Sequence, residues 1–118
     1  MHELSVALRI VEALDQELAS EPDDLKISTV ALQVGTLTGL VPEALKFSWD
    51  MATEGSRLLQ GSKLDIQIVE AVGFCQPCQQ EQPLTNLQSM RCPACKDPIT
   101  QITGGNEIEI LTVEVADG

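Results

Sequence analysis

From Glu3 to Ser20 the apolar residues return at three- and four-residue steps: Leu4, Ala7, Leu8, Val11, Leu14 and Leu18. That spacing lays one stripe along a helix over residues 3–20. Glu12, Asp15, Gln16 and Glu17 fall mostly outside the stripe. "SEPDD" ends it, because Pro22 and clustered acids resist helix continuation. In residues 25–35 the period drops to two. Val30, Leu32 and Val34 alternate with Thr29, Ala31 and Gln33, the pattern of a half-buried strand.

"GTLTG" is a loop, and "VPEALKFSWDMATEG" is a second helix. Pro42 suits its first turn, Glu43 suits the positive end of the helix, and Gly55 suits its termination. "SKLDIQIVEAVGF" returns to alternation, with Leu64, Ile66 and Ile68 against Asp65 and Gln67, and predicts one strand running into the first cysteine. "NEIEILTVEV" predicts a last strand. Its alternation changes phase between Ile110 and Leu111, which points to a bulge or to burial on both faces. The order is helix, strand, helix, strand, cysteine module, strand. Apart from the doubled C-x-x-C, nothing repeats.

Composition narrows the function classes. The 118 residues are 43% hydrophobic, enough for a packed core, but only 3% aromatic, so Leu, Ile, Val and Ala must build it. Seven basic and eighteen acidic residues give a net charge of −11. That field disfavours nucleic acid, whose recognition draws on Lys and Arg, and favours cations and basic protein surfaces. No run approaches the roughly 20 apolar residues of a membrane span, and the start does not read as a secretory signal. The expected location is the cytoplasm, where thiols stay reduced.

Four cysteines in such a compartment need another reason. Cys75 and Cys78 flank "QP", Cys92 and Cys95 flank "PA", and thirteen residues separate the pairs. Two such knuckles can close four thiolates around one tetrahedral ion, and structural zinc is the reading this spacing favours. Iron also accepts four thiolates. A redox dithiol would need a C-x-x-C at a helix start in a βαβ context, which these Pro- and Gln-rich turns do not offer. The intervening residues carry too few apolar side chains to fold without the metal.

His2 is the only histidine, next to the terminal amine. The amine of Met1 and the amide and imidazole nitrogens of His2 can close two fused chelate rings. Glu3 can add its amide nitrogen or its carboxylate. Such planar nitrogens suit Ni(II) or Cu(II). Met1 should be retained, since the large His2 follows it. Spacing permits this chelate without demanding it, and a solvated polar terminus is the competing reading. No Ser/His/Asp or Cys/His arrangement and no phosphate-binding glycine loop is visible, so no enzyme activity is expected.

"MHELS", "VGTLTGLVPEALKFSWD", "CQPC…CPAC" and "GGNEIEILTVEV" together resemble the HypA/HybF family of hydrogenase maturation factors, in order and over essentially the whole chain. The resemblance implies an α+β fold, two helices with a three-stranded mixed sheet. A four-cysteine zinc-ribbon-like domain is inserted before the last strand. The implied domains are 1–72 with 104–118, binding nickel, and 73–103, binding zinc. It further implies a nickel metallochaperone with Ni(II) as cargo at Met1, His2 and Glu3, and Zn(II) at Cys75, Cys78, Cys92 and Cys95. The implied partners are the HypB-type GTPase and the large subunit of [NiFe]-hydrogenase; a homodimer stays open. A zinc-ribbon adaptor that binds only proteins is the alternative. Family knuckles often carry Gly after the second cysteine, for a turn with positive φ; Gln79 and Lys96 stand there in this chain. Glu43 is the nearest further carboxylate, and it reads better as a first-turn helix acid.

Overall fold

The computed structural model describes residues 2–116. Its first helix, α1 (Glu3–Glu17), forms where the apolar spacing places one and ends three residues earlier than Ser20, at the Leu18 C-cap. The buried stripe is turned relative to the expected one. Val6, Ala7, Ile10, Val11 and Leu14 are buried, whereas Leu4 and Leu8 are 37% and 49% exposed. Apolar side chains between residues 4 and 11 cover more than one face, so the elements packed on the helix choose the arc that is covered.

The strand β1 (Ile27–Gly35) buries Val30, Leu32 and Val34 as its alternation requires. Ala31 is buried as well, which suits a middle strand. After a 3₁₀ turn (Thr36–Thr38), α2 (Pro42–Ala52) starts with Pro42 at its first position and Glu43 in its first turn. It buries Leu45, Ser48, Trp49 and Ala52 and ends before the expected Gly55, with Thr53 as C-cap. The Trp49 indole is 1% exposed, and its Nε1–H donates to Ser62 Oγ at 3.0 Å. Ser56 Oγ donates to Asp15 Oδ1 (2.8 Å) and accepts from the Leu59 amide (3.1 Å), tying the segment after α2 to α1.

Two strands complete a mixed three-stranded sheet of order β2-β1-β6: β2 (Lys63–Val69) and β6 (Ile108–Val115). The Gly35 amide donates to the Glu107 carbonyl and the Ala116 amide to the Lys26 carbonyl, both at 2.8 Å, so β6 runs antiparallel to β1. None of its residues is buried. Its phase change therefore reflects neither a strand buried on both faces nor a need to be; an edge strand with Ile110 and Leu111 each 40% exposed tolerates apolar residues on either side.

The single strand expected across residues 62–74 is two strands. After β2, the chain passes Glu70 and Ala71 and enters a second sheet of order β4-β3-β5. That sheet comprises β3 (Val72–Cys75), β4 (Gln80–Pro83) and β5 (Gln101–Gly104), with β3 antiparallel to both neighbours. The break has a cause. The Ala71 amide donates to Thr36 Oγ1 (3.0 Å) and its carbonyl accepts from the Leu84 amide (2.9 Å), so neither group continues the first sheet.

The chain divides into two compact units. One takes residues up to 32, 40–66 and from 110 onward; the other takes 33–39 and 67–109. The first has a core of Ile10, Leu14, Val30, Leu32, Leu45, Trp49 and Leu59. The second has a smaller core of Ala71, Cys75, Leu84, Cys92 and Ile99, with Leu37, Met90 and Ile102 half-buried against it. Among the described residues no helix is long and apolar enough to cross a membrane.

Candidate metal centres

Both cysteine pairs sit on tight turns that point their sulfurs inward. β3 delivers Cys75, which pairs with Gln80 across the β3–β4 register, so the knuckle Gln76–Gln79 is the connection of that hairpin. The second pair is bracketed by a bridge between Arg91 and Pro98 and by the Cys92 amide donating to the Asp97 carbonyl at 2.9 Å. The four Sγ atoms lie within 4.8 Å of one another. Cys75 and Cys95 approach to 3.4 Å, and Cys78 and Cys92 to 3.9 Å. Four sulfurs each about 2.3 Å from a tetrahedral ion stand about 3.8 Å apart, so the cluster fits one thiolate-bound metal. Four protein ligands would complete such a tetrahedron and leave no open position, the arrangement found at structural sites.

The knuckles share a construction. Gln79 (φ 54) and Lys96 (φ 69) take the left-handed backbone that glycine adopts most readily. Each side chain folds back to the carbonyl of the residue after the first cysteine: Gln79 Nε2 donates to Gln76 O (2.6 Å) and Lys96 Nζ to Pro93 O (3.1 Å). The turn geometry is kept without glycine, and the side chain holds it.

As thiols the sulfurs differ. The Cys95 amide, donating to Cys92 Sγ at 3.5 Å, brings that thiol down to about 7, aided by the Ala94 amide and opposed by burial. Cys78 is pushed up to about 12 by sharing a hydrogen bond with Cys75 and by desolvation. Metal binding must displace the remaining protons, so occupancy should fall with acid.

At the other candidate site, Met1 lies outside the described residues. His2 is exposed and is the N-cap of α1, with extended backbone (φ −85, ψ 141). Its carbonyl accepts the Val6 amide at 3.2 Å, but its imidazole makes no capping bond, which leaves the ring uncommitted to α1. Glu3 opens the helix. Its carboxylate accepts the Val41 amide at 3.0 Å, across 38 residues of sequence. That amide, then Glu3's own, holds the carboxyl below its ordinary range. Glu43 sits in the first turn of α2, the place that a helix acid takes. The four cysteines are brought together; the terminal residues belong to the other unit. Sequence reasoning missed the Glu3–Val41 bond, for which no local pattern exists.

Comparison with known proteins follows the same lines. The family model described as hydrogenase/urease nickel incorporation, metallochaperone, hypA matches residues 1–115. Among curated proteins, the hydrogenase maturation factor HypA of Chloroflexus aurantiacus is 43% identical over 114 residues, covering 97% of this chain and 98% of that one. The HypA of Roseiflexus sp. (strain RS-1) is 37% identical over 117 residues, covering 99% and 94%. Among solved structures, the solution structure of the Ni metallochaperone HypA from Helicobacter pylori is similar at a TM-score of 0.63. The two are 26% identical, with 97% of each chain covered.

Proposed function

This chain belongs to the HypA family of hydrogenase maturation factors, a nickel metallochaperone family, and from that premise we propose how its residues carry the metal. Ni(II) is cargo, held by the amine of Met1, the amide and imidazole nitrogens of His2 and the backbone nitrogen of Glu3. Zn(II) is resident, held by Cys75, Cys78, Cys92 and Cys95, where it orders a small unit. The observation that carries this reading is the family match over residues 1–115, which includes the Met-His-Glu start and the sole histidine.

The chemistry is consistent with carriage. Amine, imidazole and amide nitrogens give up protons on binding, so affinity falls with acid. The exposed His2 lets an acceptor's ligands replace the protein's one at a time. Intrinsic affinity cannot select nickel, since Cu(II) binds such nitrogens more strongly. Selection falls to partner contact. The partners we assign are the HypB-type GTPase and the large subunit of [NiFe]-hydrogenase, met in the cytoplasm, where the thiols stay reduced. We assign the protein no catalytic residue.

Nickel titration of the wild type, His2→Ala, and a chain extended by one residue before Met1 tests the site. The wild type should take one equivalent, and both variants should lose most of that affinity. Equal affinity in all three removes the terminal chelate and leaves a zinc-ordered adaptor.

A further inference from the structure

The start of α2 lacks an ordinary cap. Its N-cap residue is Val41, which has no side-chain oxygen and makes no side-chain capping bond. In a capping box, a Glu or Gln at the third helical position accepts the N-cap amide. The third position here is Ala44, which has nothing to offer. Glu3, at the first position of α1, supplies the missing acceptor: its Oε2 takes the Val41 amide at 3.0 Å. One carboxylate thereby fastens the first turns of both helices together, immediately beside His2.

We propose that Glu3 is a positioning residue for nickel. Its side chain completes the cap of α2 from α1, and so fixes the turn from which the terminal amine and the His2 imidazole reach the metal. Only its backbone nitrogen goes to the ion. This rests on the terminal chelate proposed above. The competing assignment is that the carboxylate itself ligates nickel, through the oxygen not engaged by Val41.

Substituting Gln and Ala at this position separates the two. Glutamine keeps an acceptor oxygen for the Val41 amide but loses the anionic ligand; alanine loses both. Nickel affinity, the ligand-field absorption of the nickel complex and the Val41 amide resonance are measured on wild type, Glu3→Gln, Glu3→Ala and His2→Ala. Positioning predicts that Glu3→Ala weakens nickel roughly five-fold, the size of a lost cap. Glu3→Gln should restore most of that loss, with the absorption band unmoved in both. The Val41 amide should shift strongly only in Glu3→Ala. A glutamine variant as weak as the alanine one, with a displaced band, makes the carboxylate a ligand and overturns the proposal. So does undiminished affinity in Glu3→Ala. If His2→Ala also binds like the wild type, the terminal chelate has failed, which is a separate result.

Discussion

Stripping the metal from the four cysteines should unfold the unit that carries them and spare the other. The buried cluster around the cysteines holds two large aliphatic side chains, Leu84 and Ile99, beside Ala71, Cys75 and Cys92. At about 1.5–3 kcal/mol for each fully buried side chain, the pair contributes about 3–6 kcal/mol. A structural zinc ion in a small domain contributes about 10–16 kcal/mol at neutral pH. The metal term is therefore the larger, and without it β3, β4 and β5 should not persist. The other unit has its own core, and within it Trp49 is buried with its indole N–H bonded to Ser62. Trp49 is the sole tryptophan and the chain has no tyrosine, so its fluorescence reports on that unit alone. The assay combines amide NMR of β3–β5 with Trp49 emission during chelation at pH 7, and then on return of zinc. Expected are loss of shift dispersion and exchange protection in β3–β5, an unchanged Trp49 maximum, and full recovery with zinc. Protected β3–β5 amides in a demonstrably metal-free protein would refute the reasoning.

Three further outcomes follow from individual contacts. Gly35→Ala places a methyl group on the Gly105 carbonyl, backbone against backbone, and should cost about 3 kcal/mol by urea denaturation; a loss below about 1 kcal/mol means the two segments part easily. Ser62→Ala leaves the buried Trp49 N–H without its acceptor and should cost about 1–3 kcal/mol in the wild type and much less when made in a Trp49→Phe background. The Glu3 carboxyl, depressed by the Val41 amide, should titrate below the ordinary glutamate range when followed through that amide's proton shift. A depressed carboxyl stabilises the fold above its unfolded value and loses that contribution as pH falls through its folded one. The Glu3–Val41 link is accordingly intact at neutral pH, and a midpoint no lower than that of an ordinary glutamate contradicts it.

What the sequence disclosed is what period and spacing can carry. α1, β1, α2, β2 and β6 stand where 3.6- and 2-residue patterns put them, and the cysteine cluster follows from two C-x-x-C motifs. The α1 stripe was misjudged because Leu4 and Leu8 are as apolar as Val6 and Ile10, and periodicity cannot say which row another element will cover. Alternation holds from Leu64 to Ile68 and lapses only at Val69 and Glu70, too short a break to announce a change of sheet at Ala71; Thr36, 35 residues earlier, takes the Ala71 amide. β4, "QEQP", and β5, "QITG", are too polar and too short to register as strands. Gln79 and Lys96 look like departures from the glycine of a knuckle. Their left-handed backbone becomes evident only when each side chain is seen to reach the carbonyl three residues back.

The two proposed metal sites differ in the property that decides whether an ion stays. Cys75 and Cys92 are buried, and the Cys95 amide donates to the Cys92 sulfur, so an ion held by these donors sits inside the core of its unit. Removing that ion exposes a core too small to stand alone, and exchange must then await local unfolding. His2 is exposed at the very start of a helix, its imidazole tied to no cap, and losing a ligand there costs no buried surface. A donor set that detaches stepwise can hand its ion to a competing ligand without unfolding anything. Retention and transfer are thus assigned by burial as much as by the choice of sulfur or nitrogen. In the proposed terminal site, Glu3, tied to the Val41 amide, is the residue at which affinity and release would be balanced.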